Sequence, residues 1–229
     1  MGERVEFASN GAAARGYLAL PESGTGPGVI VIQEWWGLVP HIEDLVDRFA
    51  ASGYVALAPD LYHGVATREP DEANKLMMGL AMDTAARDIS GAAAFLAHHD
   101  ATTGTGVGVV GFCMGGSLAL WSATLSEDIR AAVGFYPALP WERMSPHWPS
   151  YSGKTAMIHC SEGDGTSAAP GIQQARAAIA AAGGRVEVFD YPGTEHAFFN
   201  DERPEVYAAE ASAVAWERTI DLFGRTLAV

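Results

Sequence analysis

Of the two cysteines in this 229-residue chain, one is framed as a reactive group would be. Cys113 lies in Gly-Phe-Cys-Met-Gly, residues 111–115, where the β-branched run Val-Gly-Val-Val-Gly-Phe gives way to Gly-Gly-Ser-Leu-Ala-Leu-Trp. A cysteine that only packs needs no glycines beside it. A nucleophile on a tight strand-to-helix turn does, because flanking glycines let strand and helix close up around it. In that setting the Met114 N–H faces a tetrahedral intermediate, and the helix N-terminus favours a thiolate. A free thiol is only a few per cent ionised at neutral pH, so a neighbouring base matters. His196, in Pro-Gly-Thr-Glu-His-Ala-Phe-Phe-Asn-Asp, is the candidate base, and Asp164, in Ser-Glu-Gly-Asp-Gly, is the candidate that orients it. Glu162 is the nearby rival for that second role. Cys160 ends an apolar run without a glycine frame and reads as core packing.

A second constellation is Gln33-Glu34-Trp35-Trp36-Gly37, directly after the apolar run Gly28–Ile32. With the cysteine on such an elbow, this loop is the expected source of a second oxyanion N–H, assigned to Trp35 beside that of Met114. Losing one such donor typically costs about 3–4 kcal/mol of transition-state stabilisation. Glu34 would sit at the mouth of the elbow. A carboxylate there opposes ionisation of a thiol, so Glu34 is either irrelevant or part of the mechanism. The other histidines say less. His98 and His99 close a helix where cations suit the dipole, and no third ligand at a recognisable spacing points to a metal. His63 follows a strand and could line a pocket or pack a loop. His41, His147 and His159 carry no argument.

These side chains need elements to hold them. Short β-branched runs predict strands at 15–20, 28–33, 54–58, 106–112, 131–136, 155–160 and 185–191. Amphipathic, alanine-rich stretches predict helices at 41–52, 72–99, 115–126, 170–182 and 204–223, with Pro170 at a first helical position. Such alternation implies an α/β fold, a mostly parallel sheet with helices on both faces, in which ligands bind beyond the carboxyl ends of the strands. Cys113, Asp164 and His196 each follow a strand end, in that order along the chain. No repeat or long linker divides the chain, so a single domain over residues 1–229 is expected, with the Pro- and Trp-rich segment 137–150 as an excursion between strands.

Composition narrows the partners. The chain carries 28 acidic and 14 basic residues, a formal net charge of −14, which repels polyanions and argues against nucleic acid. No apolar run approaches a membrane span. An acidic start without an apolar signal region points to the cytoplasm, where two free thiols are unremarkable. No cofactor is called for.

The motifs Gln-Glu-Trp-Trp-Gly, Ala-Pro-Asp-Leu-Tyr-His-Gly, Gly-Val-Val-Gly-Phe-Cys-Met-Gly-Gly, Glu-Gly-Asp and His-Ala-Phe-Phe-Asn-Asp, in this order, resemble the dienelactone hydrolase (carboxymethylenebutenolidase) family. The likeness runs from about residue 5 to 224. It implies the α/β-hydrolase fold and cleavage of a carboxylic ester or lactone through an acyl-cysteine at Cys113, with His196, Asp164, Met114 and Trp35 in the roles above. Glu34 would take the thiol proton when substrate binds. Trp36, Tyr136, Arg68 and Phe198 would line the pocket of a small-molecule substrate, and members of the family are often monomers. The family's carboxylate clamp is incomplete: Asn200 stands where one of its arginines is found, four residues after the histidine, and Pro70 stands at the other, with Arg68 close by. A less charged ester or lactone therefore fits as well as dienelactone. Two other readings stay open, a binding or sensing protein that keeps the elbow without chemistry, and an oxidisable thiol.

Overall fold

A computed structural model describes residues 2–9, 11–139 and 141–227. Eight strands form one sheet: β1 (Glu3–Ser9), β2 (Ala12–Ala19), β3 (Gly26–Ile32), β4 (Val55–Pro59), β5 (Thr102–Phe112), β6 (Ile129–Phe135), β7 (Thr155–Ser161) and β8 (Arg185–Tyr191). Their order across the sheet is β1-β2-β4-β3-β5-β6-β7-β8. The first two pairings are antiparallel and the rest parallel. Six α-helices cover it: α1 (Pro40–Ala51), α2 (Pro70–Gly79), α3 (Met82–Ala97), α4 (Met114–Ser122), α5 (Pro170–Ala181) and α6 (Ala209–Leu227). This is the α/β-hydrolase fold.

The two-residue period of a strand sends alternate side chains to opposite faces. In β3, Ile30 and Ile32 enter one apolar layer with Ile89 of α3, Leu118 of α4 and Ile179 of α5. Val29 and Val31 enter the other with Leu45 and Phe49 of α1 and Leu222 and Phe223 of α6. A strand buried on both faces reads as an unbroken apolar run, which is why β3 is so plain in the sequence.

Three departures from the expected elements have physical causes. β1 pairs along its whole length with β2 and buries only alternate residues, Phe7 and Ser9 most fully, so it has no apolar run to betray it. The helix expected over 72–99 breaks at Leu80 and Ala81, whose ψ angles of 121° and 102° are extended. Arg143, from the 137–150 segment, donates to the carbonyls of Met77, which also accepts the Leu80 N–H, and of Leu80. That contact is long-range and leaves no local mark. Finally, α6 begins at Ala209 rather than 204. Residues 197–208 instead turn back across the molecule, with Ala197 at φ +66° and Asp201 paired to Arg48 of α1.

Candidate active site

Cys113 joins β5 to α4 at φ +57° and ψ −118°, a conformation that costs a non-glycine residue strain. Two contacts hold it there. Its N–H donates to the Phe135 carbonyl at 3.0 Å. Backbone crowding does the rest: a Cβ on Gly111 would lie 2.0 Å from the Gly115 carbonyl oxygen, and one on Gly115 would lie 2.4 Å from that of Gln33. The glycine frame is therefore a packing requirement of this turn. Met114 is the first residue of α4, so its N–H has no partner within the helix. Trp35 and Trp36, half-buried, meet edge to face with ring centroids 4.9 Å apart.

The loop after β8 carries His196 and the loop after β7 carries Asp164. His196 Nδ1 lies 2.8 Å from Asp164 Oδ2, which also accepts from the buried Ser161 hydroxyl. Glu162 is turned away and accepts the Gly193 N–H through Oε2 at 2.6 Å. Burial opposes a charge on Asp164, yet the bonds from His196 and Ser161 hold its carboxyl below the usual range. Burial likewise opposes protonation of His196, but its hydrogen bonds to Asp164 and to the Cys113 side chain outweigh that and push it up to about 10.

A folded value above the ordinary 6.5 means that this pairing stabilises the fold fully below 6.5 and loses its contribution as pH rises through about 10. The melting-temperature gap between wild type and His196→Gln is accordingly expected to be widest at about pH 6, to narrow steadily above that and to close by about pH 10. A gap that stays constant over that range would contradict the pairing.

Glu34 is 2% exposed. Its Oε2 accepts from Asn200 Nδ2 at 2.9 Å, and its Oε1 is buried without a hydrogen-bond partner. Burial raises its affinity for a proton, against the opposing pull of His41, the Asn200 bond, His196 and Arg203. Two tyrosines complete the surroundings. Tyr136, at φ +38°, packs its ring 5.1 Å from His196 and buries an unpartnered hydroxyl. Burial, then the charges of Glu34 and Cys113, raises that phenol well above its ordinary value. Tyr62 donates to Met114 Sδ at 3.5 Å, and burial followed by Cys113 raises it too. Both phenols therefore remain protonated donors.

Two cavities adjoin these groups. One of about 150 Å³ is lined by Tyr136, Leu139, Cys160, Asp164, Ile172 and His196. The other, about 260 Å³, is lined by Trp36, Thr67, Arg68, Asn200 and Arg203 among others. The structure thus brings Cys113, His196, Asp164, Glu34 and Tyr136 together, and sets Trp36 and Arg68 on the wall of the second cavity. Phe198, expected in the pocket, is instead fully buried against the Tyr136 and Tyr191 rings, because Ala197 turns the chain inward there. His63 faces Asp88, with Nε2 3.4 Å from Oδ2, and it is its neighbour Tyr62 that reaches the elbow, at Met114 Sδ. Cys160 is buried as expected, with its thiol pushed up to about 12 by burial and by Asp190 and Asp164. Tyr62, Ser161 and Arg203 are the groups that reading the sequence missed. Only the motif Asp-Leu-Tyr-His-Gly drew attention to any of them. Among the described residues no three His, Cys, Asp or Glu side chains are arranged to hold a metal ion, and no helix is long and apolar enough to cross a membrane.

Known proteins resemble this chain over nearly its whole length. Protein usf of Aquifex pyrophilus is 37% identical over 97% of this chain and 98% of its own length. A protein of Aquifex aeolicus, provisionally named a carboxymethylenebutenolidase, is 34% identical over the same shares. A crystal structure from Klebsiella pneumoniae, provisionally named a dienelactone hydrolase, superposes with a TM-score of 0.84 at 26% identity, covering 98% of each chain. The profile of the dienelactone hydrolase family matches residues 14–227. With that match spanning nearly the whole chain, the protein belongs to the dienelactone hydrolase family.

Proposed function

We propose that this chain is a cysteine-dependent hydrolase of carboxylic esters and lactones. The observation that carries the reading is the Nδ1–Oδ2 contact of 2.8 Å between His196 and Asp164, with the imidazole's other side turned to Cys113. A His–Asp pair presented to a side chain on a strained elbow is the arrangement of nucleophilic acyl transfer. The names of relatives, carboxymethylenebutenolidase and lactonase among them, support the same class.

In this account His196 enters the reaction protonated, and Glu34 is the acceptor of the thiol proton. Sγ attacks the carbonyl carbon as its proton passes to Glu34. The oxyanion is stabilised by the N–H groups of Met114 and Trp35. The C–O bond then breaks, the leaving oxygen takes the His196 proton, and an acyl-cysteine remains. Neutral His196 next takes a proton from water as the water oxygen attacks the thioester. Collapse of that adduct frees the acid and the thiolate, which recovers its proton from Glu34. Asp164 holds the ring in one tautomer throughout.

Arg68 and Arg203 line the same cavity as Trp36, Asn200 and Glu202, and two guanidinium groups against one carboxylate favour a substrate with a carboxylate beside the scissile bond. The clamp expected to be incomplete is, in this reading, rebuilt from different positions. Turnover of p-nitrophenyl acetate and of cis-dienelactone tests this. Dienelactone is expected to be turned over, with Arg203→Ala raising its KM by about tenfold and leaving the acetate ester unaffected. Equal loss on both substrates, or none on either, would refute a role for Arg203 in holding a carboxylate.

A further inference from the structure

The Pro- and Trp-rich segment after β6 supplies no group to the acyl transfer itself. Its first residues, Pro137 and Leu139, form one wall of the cavity of about 150 Å³ beside His196, and Ala169 and Ile172, where α5 begins, form another. The first wall is pinned at two points. The Tyr136 N–H donates to the His159 carbonyl at 2.7 Å, and the Ser117 hydroxyl of α4 donates to the Ala138 carbonyl at 2.8 Å. Tyr136 also lines the cavity and is 1% exposed, and its hydroxyl has no partner among the described residues.

The two cavities at the site differ in charge. Arg68 and Arg203 stand on the larger. Among the described residues no lysine or arginine stands on the smaller, and its one carboxylate, Asp164, would repel an anion. His196 ties this smaller cavity to the reaction, because it lines the cavity and also hands its proton to the leaving oxygen. The leaving group therefore departs beside Leu139, Ala169 and Ile172. In a lactone the leaving oxygen stays tethered to the acyl part. A separate apolar space on the leaving side serves an ester whose alcohol is a group of its own.

We propose that this cavity is a subsite for the alcohol of open-chain esters, and that the substrates include half-esters of short dicarboxylic acids. The free carboxylate lies on the Arg68 and Arg203 side, and a short, uncharged alkyl group lies against Leu139, Ala169 and Ile172. The proposal rests on the reading of this chain as an ester hydrolase with His196 as the acid for the leaving oxygen. Apolar burial supplies the preference, at about fourfold for each methylene fully buried, and the small volume limits the length of the chain.

The test is kcat/KM for the monomethyl, monobutyl and monohexyl esters of succinic acid, with p-nitrophenyl acetate as reference, in wild type, Ala169→Leu and Leu139→Ala. Wild type should prefer the butyl to the methyl ester by about tenfold or more and gain nothing further with hexyl. Ala169→Leu fills the cavity from a half-buried position and should lower the butyl-to-methyl ratio about tenfold. Leu139→Ala enlarges it and should raise the hexyl-to-butyl ratio several-fold, to about fourfold. Ratios within one variant are insensitive to how much of the protein is folded. Methyl and butyl esters cleaved equally well, or ratios that neither substitution moves, would overturn the proposal. Half-esters left intact while p-nitrophenyl acetate is cleaved would overturn it too, with the hydrolase reading still standing. If no ester at all is cleaved, the hydrolase reading falls and this subsite falls with it.

Discussion

Replacing Cys113 with alanine is expected to lower kcat/KM on an ester or lactone by about a thousandfold or more while leaving the melting temperature nearly unchanged. The loss is large because attack, intermediate and release all pass through Sγ. Stability is spared because the side chain is only half-buried and because alanine bears the same backbone strain at φ +57°. Cys113→Gly makes the second half of this argument visible. Glycine occupies positive φ without penalty, so this variant should melt higher than Cys113→Ala while being equally inactive. Steady-state kinetics and thermal melts of both proteins check the result. An active Cys113→Ala would mean that the elbow presents a nucleophile other than the thiol, or none.

The second large effect concerns the residue behind the histidine. Asp164→Asn should cost about 10²–10⁴-fold in kcat, because an amide no longer stabilises the imidazolium and allows the ring the wrong tautomer. Glu162 is two residues away and of the same charge, but its carboxylate is committed to the Gly193 N–H across the loop. It cannot reach the His196 ring without giving up that bond. Glu162→Gln is therefore expected to retain most of the activity, and Asp164→Asn to fall about as far as His196→Ala. Kinetics of the three variants decide the matter. If Asp164→Asn kept more than about a tenth of wild-type kcat, the orienting carboxylate would have to be sought elsewhere.

Local signals account for much of what could be read in the sequence. The central strands announced themselves because strands buried on both faces need unbroken apolar runs, as β3 does. The elbow announced itself because Gly111 and Gly115 leave no room for a side chain, a demand that only glycine meets. Placement of Asp164 and His196 after successive strands followed from the rule that ligands meet a parallel sheet at its carboxyl ends. What stayed hidden depends on distant contacts. The break between α2 and α3 is tied to Arg143, more than 60 residues further along the chain. The loop 197–208 turns Phe198 into the core and carries Asn200 and Asp201 to Glu34 and toward His41, across separations that no periodicity records. The choice between Asp164 and Glu162 was likewise open until the loop geometry assigned each carboxylate its own donor.

The most direct test of the account is the mass of the intact protein within seconds of mixing with p-nitrophenyl acetate, followed by peptide mapping. The account predicts a transient acetyl adduct on Cys113, absent from Cys113→Ala and prolonged in His196→Ala, where no base is left to draw a proton from water. Ester turnover with no adduct on Cys113, or an adduct on another residue that survives Cys113→Ala, would contradict it.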